Sequence, residues 1–125
     1  MELIDTYLNV AGQKDYLIDC AVDATDRPLG YVCYGPTPLT DGTYDLYWIA
    51  VDPEAHRCGV GSRLLEHVER AVLPSGRLLL IETSSLPKNE AARRFYWRHL
   101  YREVARVPDF YTDGDDRVIY AKRLR

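Results

Sequence analysis

Cysteine is scarce. The three in this 125-residue chain, Cys20, Cys33 and Cys58, are odd in number and fall singly, with no C-x-x-C pair and no Cys/His cluster at metal-ligand spacing. That argues against a disulfide framework and a structural zinc, and for a reducing, cytoplasmic setting. Long apolar runs are also missing: none approaches the roughly 18 residues that span a bilayer. Met1 is followed by acidic Glu2 and Asp5 where a secretory leader would be basic, so no membrane partner is expected. Positive charge is not in excess either. Sixteen Lys and Arg against nineteen Asp and Glu leave a net charge of −3, which argues against nucleic acid as a partner. With no internal repeat, low-complexity tract or long linker, residues 1–125 are expected to form one domain.

The first ten residues place Leu3, Ile4, Tyr7 and Leu8 at helical spacing, with Gly12 able to end such a helix. Two β-rich runs follow, Tyr16 to Val22 and Leu29 to Tyr34, joined by a polar turn around Asp23–Pro28, which predicts a hairpin. Gly35 to Gly42 holds two prolines and reads as a loop, because proline has no amide to give a ladder. Thr43 to Val51 (TYDLYWIAV) is the most strand-like segment, with Tyr44, Leu46, Trp48 and Ala50 on one face and Asp45, Tyr47, Ile49 and Val51 on the other. Both faces are largely apolar, so this strand is expected at the centre of a sheet.

From Gly59 the period changes. Val60, Leu64, Leu65, Val68 and Val72 form a stripe at 3.6-residue spacing that Pro74 and Gly76 end, which predicts an amphipathic helix. Leu78 to Ile81 reads as a strand buried on both faces. A second helix begins near Pro87 and Asn89 and puts Ala92, Phe95, Tyr96 and His99 on one face. Glu103 to Val107 and Val118 to Lys122 complete the strands, separated by what reads as a long loop through Pro108 and Asp113–Asp116. Strand, helix, strand and helix between terminal hairpins indicate an α/β (α+β) domain with a mixed sheet.

Two segments carry chemistry. In V-D-P-E-A-H-R-C-G-V-G-S (Val51–Ser62) a central strand turns directly into a helix through two glycines. Glycine lets the backbone approach a ligand, and the free amides and dipole of a first helical turn favour an anion such as pyrophosphate. Without a ligand the same segment is a plain strand-to-helix turn. It is not a dinucleotide fingerprint, since Leu64 stands where the third glycine belongs, and no Lys-Ser/Thr follows as a P-loop requires. The second segment is N-E-A-A-R-R-F-Y-W-R-H-L-Y (Asn89–Tyr101), in which Asn89 and Tyr96 lie on about one helical face.

Together, TYDLYWIAV with V-x-P, HRCGVG and NEAARRFYWRHLY resemble the two signature motifs of the GNAT superfamily of acyl-CoA-dependent N-acetyltransferases, over about Tyr16 to Leu124. The resemblance implies a splayed central sheet flanked by helices and acetyl-CoA or coenzyme A as co-substrate, with no metal. The amides of Arg57, Cys58, Gly59, Val60, Gly61 and Ser62 would face the coenzyme's pyrophosphate. Ile49 and Val51 would bind its pantetheine arm as another strand would, and Asn89 would bond that arm or hold the helix start. Three departures stand out. His56 and Arg57 occupy positions where the family has Gln or Arg and then often Gly, and Leu100 stands where a helix-ending glycine is usual. The strand and helix that normally open the fold are absent, so it looks N-terminally shortened. Tyr16 to Val22 would then be an exposed edge inviting a homodimer or cover by the first ten residues.

Amide formation from a thioester needs a neutral amine and a proton for the departing thiolate. The resemblance assigns Asp45 as general base and Tyr96 as the acid, a phenol near pKa ~10 that is protonated at neutral pH. Glu82 is a second base candidate. The ordinary alternatives are an exposed strand carboxylate or an ion pair for Asp45, a packed core aromatic for Tyr96 and an N-cap for Asn89. His67 and His99 read as surface or packing residues, and Cys58 lacks the fixed partner of a nucleophile. Tyr31, Tyr34, Tyr44 and Tyr47 either line an acceptor pocket or merely favour strands. The expected function is acetyl transfer to an amine on a small molecule or peptide, with a non-catalytic acyl-CoA-binding module as the alternative. An interaction protein using only its edge strand is a third.

Overall fold

A computed structural model of the chain describes residues 2–4 and 16–125. Among the described residues seven strands form one sheet in the order β1-β2-β3-β4-β5-β7-β6. They are β1 (Glu2–Ile4), β2 (Leu17–Val22), β3 (Pro28–Pro36), β4 (Thr43–Val51), β5 (Leu78–Ser84), β6 (Arg102–Thr112) and β7 (Asp115–Arg123). Helix α1 (Val60–Val72) joins β4 to β5, and α2 (Glu90–Arg98) precedes β6. β4 is the fourth of seven strands, central as expected, and pairs antiparallel with β3 and parallel with β5.

The five stripe residues Val60, Leu64, Leu65, Val68 and Val72 are the buried residues of α1. They pack with Val32, Leu46, Leu79, Ile81 and Val118 on one face of the sheet, so the helical period carries the core directly. Beside that core, Asp19 of β2 is 2% exposed and accepts hydrogen bonds from Tyr34 Oη and His67 Nε2, both at 2.7 Å, which ties β2 and β3 to α1.

Several expectations need correction. Glu2–Ile4 is a strand, not the start of a helix, and pairs antiparallel with Cys20–Val22; the rest of the helix expected over the first ten residues lies outside the described residues. The place beside β2 left by the expected shortening is therefore partly filled by this chain's own beginning. Gly35 and Pro36 close β3 instead of opening a loop, because at a strand end a missing amide costs little. The second hairpin has no long loop. β6 continues through Pro108 to Thr112 and turns at Asp113 and Gly114, and the disturbance is a register shift between Val107 and Thr112. β6 can tolerate it because it is an edge strand, exposed along its whole length.

The largest correction concerns β4. Cys33 faces Trp48 and Tyr34 faces Leu46, so Tyr47 is an extra residue in the ladder, a β-bulge. Strict alternation would put Leu46 with Trp48 and Asp45 with Ile49. The bulge instead leaves Leu46 and Ile49 with the helix-side core and turns Asp45 and Trp48 to the opposite face.

Candidate active site

β4 and β5 pair only from Thr43–Leu78 to Leu46–Ile81. Beyond those residues the parallel ladder stops, so Tyr47–Val51 and Glu82–Ser84 part at the centre of the sheet, the splay the sequence resemblance implied. On the face away from α1 the opening leads into a cavity of about 750 Å³. Asp45 lines it, half-buried, its Oδ2 accepting from Thr37 Oγ1 at 2.8 Å; among the described residues it has no cationic partner. Glu82 lines it too, but is held by Arg117 at 2.7 Å and by the Tyr111 hydroxyl at 2.7 Å. Burial, and then the Glu82 carboxylate, push the Tyr111 phenol up to about 12.

Tyr96 does not line this cavity. It sits on the helix side, its ring near Phe95, Tyr101 and Tyr120, and burial pushes its phenol above the usual value. Its hydroxyl has no hydrogen-bond partner among the described residues. The two groups that the resemblance assigns to catalysis therefore stand on opposite faces of the sheet. The ordinary reading of Asp45 as an ion-paired carboxylate does not hold among the described residues.

The strand-to-helix turn is built as follows. Asp52 caps a 3-10 turn over Pro53–Cys58, accepting from Glu54 N at 2.9 Å. Gly59 at φ 73° then starts α1. Arg57 and Cys58 end the 3-10 turn, while the amides of Val60, Gly61 and Ser62 open the first turn of α1, where a helix has no internal acceptors for them. A Cβ on Gly59 would meet nothing within 4 Å, so the backbone here faces open space. His56 Nε2 donates to the Val51 carbonyl at 2.9 Å, so the departure from Gln or Arg braces the end of β4. Ser62 Oγ is hydrogen-bonded to His99 Nε2 at 2.9 Å, which links the two helices beneath the turn.

Asn89 precedes α2, yet its side chain makes no capping bond, which overturns the simple N-cap reading. Its Oδ1 is buried with no hydrogen-bond partner, an uncommon and costly state that calls for a ligand or water. Leu100 takes the left-handed conformation, φ 73°, that the glycine would have supplied. Leu100 N donates to Trp97 O and Tyr101 N to Tyr96 O, both at 3.0 Å, completing the bonds of a Schellman ending. The helix exit is thus kept and not altered. It also lays the Tyr101 ring 6.4 Å from that of Tyr96.

The motifs did not reveal Trp48, Tyr111 or Arg117. Trp48 reaches the cavity only through the bulge. Tyr111 and Arg117 reach it because β6 and β7 cross the sheet beside β5, which no local pattern encodes. Among the described residues no group of three or more His, Cys, Asp or Glu side chains is placed to hold a metal. No helix there is long and apolar enough to cross a membrane.

Comparison with known proteins agrees with this architecture. An uncharacterized N-acetyltransferase of Methanocaldococcus jannaschii is 32% identical over 97 residues, which cover 78% of this chain and 60% of that protein. The chain thus spans less than two thirds of that relative's length. A crystal structure from Desulfovibrio desulfuricans, ascribed to the GNAT acetyltransferases, is 46% identical with a TM-score of 0.86, over 89% of this chain and 70% of that one. An aminoglycoside 6'-N-acetyltransferase complexed with coenzyme A shares the fold at a TM-score of 0.78, over 89% of this chain and 74% of that one, and is 18% identical. The acetyltransferase (GNAT) domain family matches residues 15–103. A sheet parted beside a glycine turn, a left-handed exit after Tyr96 and a family match over most of the sequence agree: the chain belongs to the GNAT acetyltransferase family.

Proposed function

We propose that this protein transfers the acetyl group of acetyl-CoA to a primary amine by direct attack. The observation that carries the reading is the parted sheet with Asp45 on one side of the gap and Tyr96 on the other. The residues present fit the coenzyme: Gly59 leaves open space before the free amides of Val60, Gly61 and Ser62, and the orphaned Asn89 Oδ1 can accept from an amide of the pantetheine arm. Ile49 and Val51 lie on the length of β4 that is paired with β3 but not with β5, where main-chain groups other than the Val51 carbonyl remain for that arm.

Asp45 takes a proton from the ammonium form of the acceptor, directly or through a water. Main-chain amides of parted β4 polarise the thioester carbonyl. Tyr96 gives its proton to the sulfur as the thiolate leaves, and its raised pKa keeps that proton in place across neutral pH.

Coenzyme A at 100 times its Kd should stabilise the fold by about 2.7 kcal/mol and raise Tm. Gly59→Glu should abolish that rise, because a carboxylate then stands where phosphates approach and β-carbon strain is added at a positive φ. No rise for the wild type at millimolar coenzyme would refute the proposal. The second reading, an acyl-CoA-binding module without turnover, draws on His56 occupying the Val51 carbonyl, which removes one acceptor from the strand end. Release of free thiol on adding amines decides between them.

A further inference from the structure

The cavity on the Asp45 face also constrains the acceptor, an argument that rests on the proposed acetyl transfer for its chemistry but not for its binding. Among the described residues, three charged side chains line it. Glu82 and Arg117 neutralise one another at 2.7 Å, and the Arg117 guanidinium is stacked 5.1 Å from the Phe110 ring. Among the described residues, Asp45 is left as the one lining carboxylate balanced only by a neutral hydroxyl. A half-buried charge of this kind favours one cation, and a second or third ammonium on the same ligand would find no uncompensated partner.

The remaining wall is apolar and aromatic. Tyr16, Ile18, Tyr47, Trp48, Leu80 and Ile119 contribute most of it. Tyr47 and Trp48 are 45% and 41% exposed, so both rings present surface to the cavity they line. Trp48 is held in place by the edge of Tyr31, ring centroids 4.9 Å apart. At about 750 Å³ the cavity far exceeds a bare alkylamine and lies in the range of sites that enclose a drug-sized ligand.

We infer that the acceptor is a monoamine carrying an aromatic body: its ammonium sits on Asp45 and its ring packs against Trp48 and Tyr47. A polycationic acceptor does not fit this balance of charge.

The test measures binding before turnover. With coenzyme A present and no acetyl group, calorimetry compares phenethylamine, n-butylamine and spermidine. Phenethylamine should bind at least about tenfold tighter than butylamine, through ring burial and ring–ring contact. Spermidine should gain nothing over butylamine. Asp45→Asn should weaken all three. Trp48→Leu, which keeps bulk, and Trp48→Ala should both bring phenethylamine to within about threefold of butylamine, with unchanged circular dichroism showing that the variants are folded. Preference for spermidine, equal binding of phenethylamine and butylamine, or a preference that survives both Trp48 variants overturns the inference. The same amines are then offered with acetyl-CoA. Thiol release favouring spermidine or butylamine overturns the inference and leaves acetyl transfer standing. Preferential binding of phenethylamine without thiol release from any amine upholds the cavity's preference for an aromatic monoamine and removes the acetyl-transfer reading.

Discussion

Replacing Leu100 with glycine should stabilise this protein, although it deletes a large apolar side chain. Leu100 sits at φ 73°, where a β-carbon crowds the following carbonyl at a cost of roughly 1–2 kcal/mol. Glycine removes that cost and adds back about 0.5–1 kcal/mol for its greater freedom in the unfolded chain. The side chain is 64% exposed, so little apolar burial is lost. The balance is a gain of about 0.5–1 kcal/mol, which for a domain of this size is a rise in Tm of roughly 2–4 °C. Leu100→Ala is the control, since it trims the side chain but keeps the β-carbon, and it should bring no rise. Thermal and urea unfolding followed by circular dichroism measure both, with an unchanged m-value showing that the unfolded state is not altered. A glycine variant less stable than the wild type, or no more stable than the alanine variant, would refute the strain argument.

Tyr96→Phe should leave the coenzyme-induced rise in Tm intact while kcat falls by about 10²–10⁴-fold in a thiol-release assay, because only the departing sulfur needs the hydroxyl; unchanged turnover removes its role as acid. Asp45→Asn should depress the rate most at low pH, where few acceptor amines are already neutral, and recover partly as pH rises; a uniform loss across pH contradicts a base. Tyr111, with its phenol raised to about 12, stabilises the fold fully below about pH 10 and loses that contribution as pH rises through 12. Tyr111→Phe should therefore flatten that part of the alkaline unfolding curve, and an identical curve shows that the bond to Glu82 does not contribute.

How much could be read in advance depended on whether the determinant was local. The stripe from Val60 to Val72 is a property of one helix, and its five apolar residues are the ones buried. The turn at Gly59 was equally visible, since a positive φ and an open approach both ask for glycine at that point. The bulge at Tyr47 was not, because the extra residue is counted against Cys33 and Tyr34 on a neighbouring strand, and TYDLYWIAV alternates well enough to hide it. Pro108 and Asp109 look like breakers of any strand, and β6 runs through them because its outer edge has no partner strand to satisfy among the described residues. At Leu100 the residue type argues against a left-handed exit, while the two hydrogen bonds and the Tyr96–Tyr101 contact outweigh the strain. The pairing of Glu82 with Tyr111 and Arg117 joins residues 29 and 35 positions apart, and only the folded sheet could show that, among the described lining residues, Asp45 is the carboxylate left unbalanced.

The parting of β4 from β5 makes the sheet a wall with a window in it. In the proposed reaction, coenzyme would be taken up from the α2 side and the amine from the other, so that neither reactant blocks the other's doorway. Steady-state kinetics of such a site converge as intersecting lines instead of parallel ones, and an unreactive analogue of either reactant competes with its own counterpart alone.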